Sequence, residues 1–232
     1  MLGEFLEIGI TTTDILASLD FYTRLGFRQA LVNDVWDHPY SVFTDGHLYL
    51  GLHQRVFSSP SLNFVQPHLS RQLPQFEALG IQFEFCNLGE DRFNEASFYA
   101  PDHQVVTLLE ARTFSPVSAR GSASLCGYFE EYRLVVRNIQ NSRRFWEQLG
   151  LIGIDPAQAE THSVRLATGG LNLGLWDTSG KVSPQLVFLH AQPEETAQQL
   201  EQRGIAVHRS ESHGLLLTAP ESTQLLIVQI SS

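Results

Sequence analysis

The sequence predicts an α+β fold of four βαβββ units, paired as curved sheets in two domains, and three observations carry that prediction. First, the chain repeats itself. DILASLDFYTRLG (14–26) recurs as NIQNSRRFWEQLG (138–150), a shift of 124. HLYLGLHQ (47–54) recurs as GLNLGLWD (170–177), and LNFV (62–65) as LVFL (186–189). FEALGI (76–81) recurs as LEQRGI (200–205), and APDHQVVTLLE (100–110) as APESTQLLIVQ (219–229). Second, each half divides again into a strand, an amphipathic helix and three short strands. Third, 232 residues of which 43% are hydrophobic and 17% charged suffice for packed cores rather than a disordered chain.

The first unit opens with an apolar strand, Phe5–Thr12. A helix follows, with Ile15, Leu19, Tyr22 and Leu25 at helical spacing, Asp14 as its N-cap and Gly26 as its stop. Three strands come next: Arg28–Asn33, Ser41–Thr44 and His47–Gln54, the last two joined by a two-residue turn at Asp45-Gly46. Asn33–Tyr40 (NDVWDHPY) reads either as a lid or as a plain connection. The second unit repeats the order with Leu62–Gln66, a helix over Gln72–Leu79 ending on Gly80, then Gln82–Cys86, Ala96–Tyr99 and Gln104–Glu110. ARTFSPVSARGSASLCG (111–127) has no apolar period and reads as a linker. The domains are therefore placed at 1–113 and 126–232, with the linker at 114–125.

A formal net charge of −10 argues against nucleic acid as a partner and against an anionic membrane surface. No apolar run approaches the ~20 residues that span a bilayer, and the N-terminal stretch lacks signal-peptide features. A cytoplasmic protein is expected. Cys86 and Cys126 have no metal-type spacing, which argues against a disulfide scaffold and a cysteine zinc site. G-x-x-x-x-G-K-[ST], G-x-S-x-G and H-E-x-x-H do not occur.

The strand followed by D-x3-S-x2-F-Y-x2-L-G-F (Asp14 to Phe27), the hairpin ending G-H-L-Y-L-G-L and the A-P-D/E endings of the second and fourth units resemble the vicinal oxygen chelate superfamily. That superfamily includes glyoxalase I, bleomycin resistance proteins and extradiol dioxygenases. The resemblance covers nearly the whole chain, and it implies two glyoxalase-like domains, each an eight-stranded mixed-sheet cup with flanking helices. Two tandem domains resemble the extradiol dioxygenase layout. One such scaffold hosts many reactions, so the fold does not name the chemistry.

The resemblance implies a divalent metal held by His, Glu or Gln side chains on the first and last strands of the units. Glu7 takes the first-strand place, and His53 is the other candidate ligand. In the second unit the first-strand place falls near Ser61 or Leu62. On its last strand Thr107 stands where the family has Glu, while Glu110 should face the opposite way. In the second half Glu131 matches Glu7, Gln185 takes the second first-strand place, Leu226 replaces the last-strand Glu, and Trp176 replaces His53. These residues assign no cofactor; for a divalent metal they leave only Glu7 and His53.

Glu7 and His53 are the candidate catalytic residues. A buried carboxylate suits acid–base work or a cationic ligand, and an imidazole suits proton transfer. Tyr49, Trp36, Glu131, Arg133 and Trp176 are candidate ligand-binding residues, aromatic walls being usual in such sites. Arg133, two residues beyond Glu131 on the same strand face, offers the alternative of a structural ion pair. His38, His68 and His162 fall in loops or helix starts and receive no specific role. The expected function is a glyoxalase- or dioxygenase-like protein that binds a small organic molecule, with lyase, isomerase or dioxygenase chemistry if it is an enzyme. The alternative is a non-catalytic drug- or metabolite-sequestering protein of the bleomycin-resistance type. A homodimer is compatible with that resemblance.

Overall fold

A computed structural model describes residues 1–31, 37–91, 93–111, 124–154, 162–177, 183–210 and 214–230. The first repeat runs β1 Glu4–Thr11, α1 Ile15–Arg24, β2 Arg28–Ala30, β3 Tyr40–Thr44, β4 Tyr49–His53, β5 Ser61–Gln66, α2 Leu69–Ala78, β6 Phe83–Asn87, β7 Glu95–Tyr99 and β8 Val105–Glu110. The second runs β9 Tyr128–Val135, α3 Ile139–Gln148, β10 Ile152–Gly153, β11 Ser163–Thr168, β12 Leu171–Trp176, β13 Gln185–His190, α4 Pro193–Gln202, β14 His208–Arg209, β15 Leu215–Thr218 and β16 Gln224–Gln229. The order is βαβββ four times over. Each repeat forms one eight-stranded sheet, β2-β3-β4-β1-β5-β8-β7-β6 and β10-β11-β12-β9-β13-β16-β15-β14. The sheets are mixed, because β5 and β8, like β13 and β16, run parallel while their hairpin neighbours run antiparallel. No helix among the described residues is long and apolar enough to cross a membrane.

Local chemistry sets the element ends. Asp14 Oδ1 accepts from Ala17 N at 3.1 Å, and its counterpart Asn138 Oδ1 from Asn141 N at 2.9 Å, so both first-unit helices start on side-chain caps. Gly26 and Gly150 close those helices with φ of 90° and 103°, the left-handed stop that favours glycine. Two expectations need correction. Helix α2 begins at Leu69 rather than Gln72, because Glu110 Oε2 accepts from Leu69 N at 2.9 Å and caps it from β8. The Asp45-Gly46 turn is longer than two residues: Thr44 pairs with Tyr49, and Asp45 Oδ1 closes the loop by accepting from His47 N and Leu48 N. The linker falls largely outside the described residues.

By backbone proximity the chain divides into two compact units that each join part of both repeats. One comprises Met1–Ile8, Ser58–Pro116 and Leu134–Val182; the other comprises Gly9–Phe57, Val117–Arg133 and Ser183–Ser232. In the first unit Phe76, Phe83 and Phe98 form an aromatic cluster that Phe145 joins. In the second, Tyr22, Phe27 and Phe43 cluster around α1, and Phe188 meets both Phe27 and Phe129.

The repeated motif residues explain how each unit is tied. In the second unit Ser18 Oγ donates to Glu221 Oε2 at 2.8 Å and Tyr22 OH donates to Glu221 Oε1 at 2.7 Å. In the first unit Ser142 Oγ donates to Asp102 Oδ2 at 2.9 Å and Arg137 N donates to Asp102 Oδ1 at 3.0 Å. Asp102 and Glu221 are the acidic residues of the two A-P-D/E turns, and Ser18 and Ser142 the serines of the two helix motifs. The motif serine of each repeat thus bonds the acidic turn of the other repeat.

Candidate functional site

Helix α1 covers one face of the β3–β4 hairpin, with the Tyr22 and Phe43 rings 6.1 Å apart. Phe43 pairs with Leu50, so Tyr40, Val42, Thr44, Tyr49, Gly51 and His53 lie on the opposite face. His53 ends β4 there and is only 6% exposed. Its ring stacks obliquely on Tyr40 at 4.4 Å between centroids and meets the edge of Phe57 at 5.5 Å. Its main-chain carbonyl accepts from Thr12 N at 2.9 Å, which fixes the strand end.

His38, assigned no role by the sequence, is the partner that matters. Its Nε2 stands 2.9 Å from His53 Nδ1, and its Nδ1 stands 2.7 Å from Asp37 Oδ1. The hydrogen-bond pattern assigns the tautomers. Asp37 accepts from His38 Nδ1–H, so in the neutral ring His38 Nε2 accepts from His53 Nδ1–H, and the His53 lone pair lies on Nε2. His38 buries its ring while Asp37 stays in solvent. The bond from His38, more than any other influence, holds the Asp37 carboxyl below its usual range. Burial pushes the Tyr49 phenol up, which keeps it a neutral donor beside this face. Trp36 lies outside the described residues.

Glu7 belongs to the other compact unit and is described among its own neighbours. It is 2% exposed, and its Oε1 accepts from Asn63 Nδ2 at 3.2 Å. The sequence reading put the neighbouring position at Ser61 or Leu62; the structure puts Asn63 there. Asn63 pairs in register with Thr107, whose hydroxyl is bonded to Ser61 Oγ at 2.7 Å.

In the second repeat Glu131 is likewise 2% exposed, and Arg133 Nε donates to its Oε1 at 2.9 Å. Across the sheet Glu131 faces Val187, which faces Leu226. Arg133 pairs with Gln185, and Gln185 Nε2 donates to Gln224 Oε1 at 3.3 Å. The two central carboxylates are therefore equivalent in place and different in company. Trp176, which follows His53 in the repeat, ends β12 and accepts a bond from Val136 N through its carbonyl at 2.9 Å.

Comparison with known proteins gives the fold its place. The fold of the chain is that of homoprotocatechuate and catechol 2,3-dioxygenases of solved structure. Its structural neighbours include a single-site variant of homoprotocatechuate 2,3-dioxygenase from Brevibacterium fuscum. That match has a TM-score of 0.66 at 12% identity and covers 99% of this chain and 71% of that chain. The homoprotocatechuate 2,3-dioxygenase from Arthrobacter globiformis gives 0.67 at 13% identity, covering 98% and 80%. A catechol 2,3-dioxygenase gives 0.60 at 14%, covering 98% and 88%. At these identities the likeness is one of fold. No family model matches the sequence, and no curated protein matches it.

The resemblance in the sequence implies a divalent metal, and the residues at the matching positions of the first sheet do not fit one. They are one carboxylate (Glu7), one amide that presents its N–H to that carboxylate (Asn63) and one hydroxyl bonded to a neighbouring serine (Thr107). Among the described residues no three His, Cys, Asp or Glu side chains group in a way that could hold an ion.

Proposed function

We propose that the chain binds a small organic molecule with a dissociable proton on the β3–β4 face, and that His53 Nε2 takes that proton without a metal. The observation that carries this reading is the Asp37–His38–His53 hydrogen-bonded chain. It orients His53 so that its basic nitrogen is the one turned from His38, and it supplies a carboxylate at the far end to stabilise an imidazolium. Tyr40 and Phe57 give His53 the aromatic surroundings usual in small-molecule sites. The chemistry this arrangement supports is proton transfer, as in an isomerase or a lyase.

Phenols and catechols are the first probes, since the structural neighbours are by name catechol and homoprotocatechuate dioxygenases. Binding stabilises the folded chain by RT ln(1 + [L]/Kd) and so raises its thermal midpoint. With homoprotocatechuate as probe, a midpoint rise that persists in chelator is expected, with affinity at least about tenfold weaker in His53→Gln. Asp37→Asn should weaken binding by less, about two- to threefold, because Asp37 acts through His38. Equal affinity in wild type and His53→Gln, or loss of the shift in chelator, overturns the reading. Deuterium incorporation from solvent at a carbon of the bound probe, where exchange is slow without a catalyst, would mark catalysis. Binding without exchange would favour the sequestering alternative.

A further inference from the structure

Within the second compact unit, helices α1 and α4, one from each repeat, exchange arginines. Arg24 Nη1 donates to Arg203 O at 3.0 Å and to Gly204 O at 3.2 Å, and Arg203 Nη1 donates to Arg24 O at 2.8 Å. Arg24 is the last residue of α1 and Arg203 the C-cap of α4. Each guanidinium therefore meets carbonyls that the other helix leaves open, and sets its charge at the negative end of that helix. In the first unit the 124-residue shift puts Gln148 at the place of Arg24 and Leu79 at the place of Arg203. Both are exposed, and among the described residues Gln148 makes no side-chain bond across the repeats. The acidic turns differ in the same sense. Glu221 holds two buried side chains, whereas Asp102 holds buried Ser142 and the exposed backbone N–H of Arg137. The aromatic pairs that join the repeats do not separate the units, since Phe27–Phe188 and Phe98–Phe145 stand at 6.2 and 6.4 Å.

We propose that this reciprocal arginine clasp makes the two repeat-to-repeat interfaces open unequally: α3 parts from the Asp102 turn in the first unit while α1 stays closed on the Glu221 turn in the second. Proteins open locally, and the parts held by fewer bonds open first. Three guanidinium bonds, discounted for the exposure of both arginines, suffice for about a tenfold difference in the opening equilibrium. Asp37, His38 and His53 lie in the clasped unit, so the first unit loosens without releasing the β3–β4 face. This order of opening does not draw on proton transfer at His53, and either can fail without the other.

The test is native-state hydrogen exchange of the full chain, read by NMR as protection factors of equivalent amides, Phe21 and Tyr22 in α1 against Phe145 and Trp146 in α3. Protection in α3 is expected to be at least about tenfold lower. Arg24→Gln with Arg203→Leu gives the second unit the residues of the first, and should lower protection in α1 at least about fivefold while leaving α3 as it was. Arg143→Gln is the control, because the bond of Arg143 to Glu147 at 2.8 Å stays within α3. It should leave protection in α1 unchanged. Protection in α3 equal to or above that in α1 overturns the proposal, and so does protection in α1 that survives loss of both arginines or falls as far in Arg143→Gln. If the double variant fails to fold, the wild-type comparison decides alone.

Discussion

Raising the pH from about 7 to about 10.5 is expected to remove about 2 kcal/mol of folding stability through Cys126 alone. Cys126 is fully buried beside the start of β9, and burial pushes its thiol from the ordinary 9.0 up to about 12. Between those values the unfolded chain gives up the proton and the folded chain keeps it. The stabilisation is therefore complete below about pH 9 and is lost as the pH rises towards about 12, reaching about 4 kcal/mol. The Ser124 hydroxyl opposes that shift, and the charge of Asp45 adds a smaller push upward. Tyr22 adds to the loss above its own ordinary range, because burial, and then the charge of Glu221, raise its phenol well above 10.0. Urea denaturation at the two pH values checks this. Cys126→Ala should lose about 2 kcal/mol less between them than wild type. An equal loss in the two proteins refutes the assignment to Cys126.

The fold was legible because the repeat doubles every signal. Asp14 and Asn138, or Gly26 and Gly150, are each ambiguous singly, and together they mark the same helix ends twice. What failed was what lies far away in sequence. The start of α2 depends on Glu110, 41 residues on, and no local cap announces it. Within one strand the period of two was enough to pair Glu131 with Arg133. Across strands it was not: which residue of β5 stands beside Glu7 depends on how two strands pair, and the period within one strand does not carry that to Asn63. His38 was missed because its role is set by a loop's return onto β4, which no periodicity records.

Replacing Glu221 with Ala is expected to cost about 3 kcal/mol, more than any other change on the surface of the turns. Glu221 answers Ser18 with one oxygen and Tyr22 with the other, at 2.8 and 2.7 Å, and both donors are buried completely. Removing it takes from the buried Tyr22 hydroxyl its charged partner and leaves it the Thr223 side chain. Ser18 suffers less, since Thr12 Oγ1 stands 3.0 Å away and can take its proton. The equivalent change at Asp102 removes one bond from buried Ser142 and one from Arg137 N, which is exposed and can turn to water. Its cost should be about 1 kcal/mol. The two turns thus share a motif and differ in consequence, because one acid faces a buried phenol and the other faces solvent-accessible backbone. A double-mutant cycle of Glu221→Ala with Tyr22→Phe isolates the coupling, expected at about 1.5–3 kcal/mol for a bond to a charged group. Chemical denaturation of the four proteins reads it directly. A coupling near zero, or equal losses at Glu221 and Asp102, would mean that the shared acidic turns tie the repeats by shape rather than by these bonds.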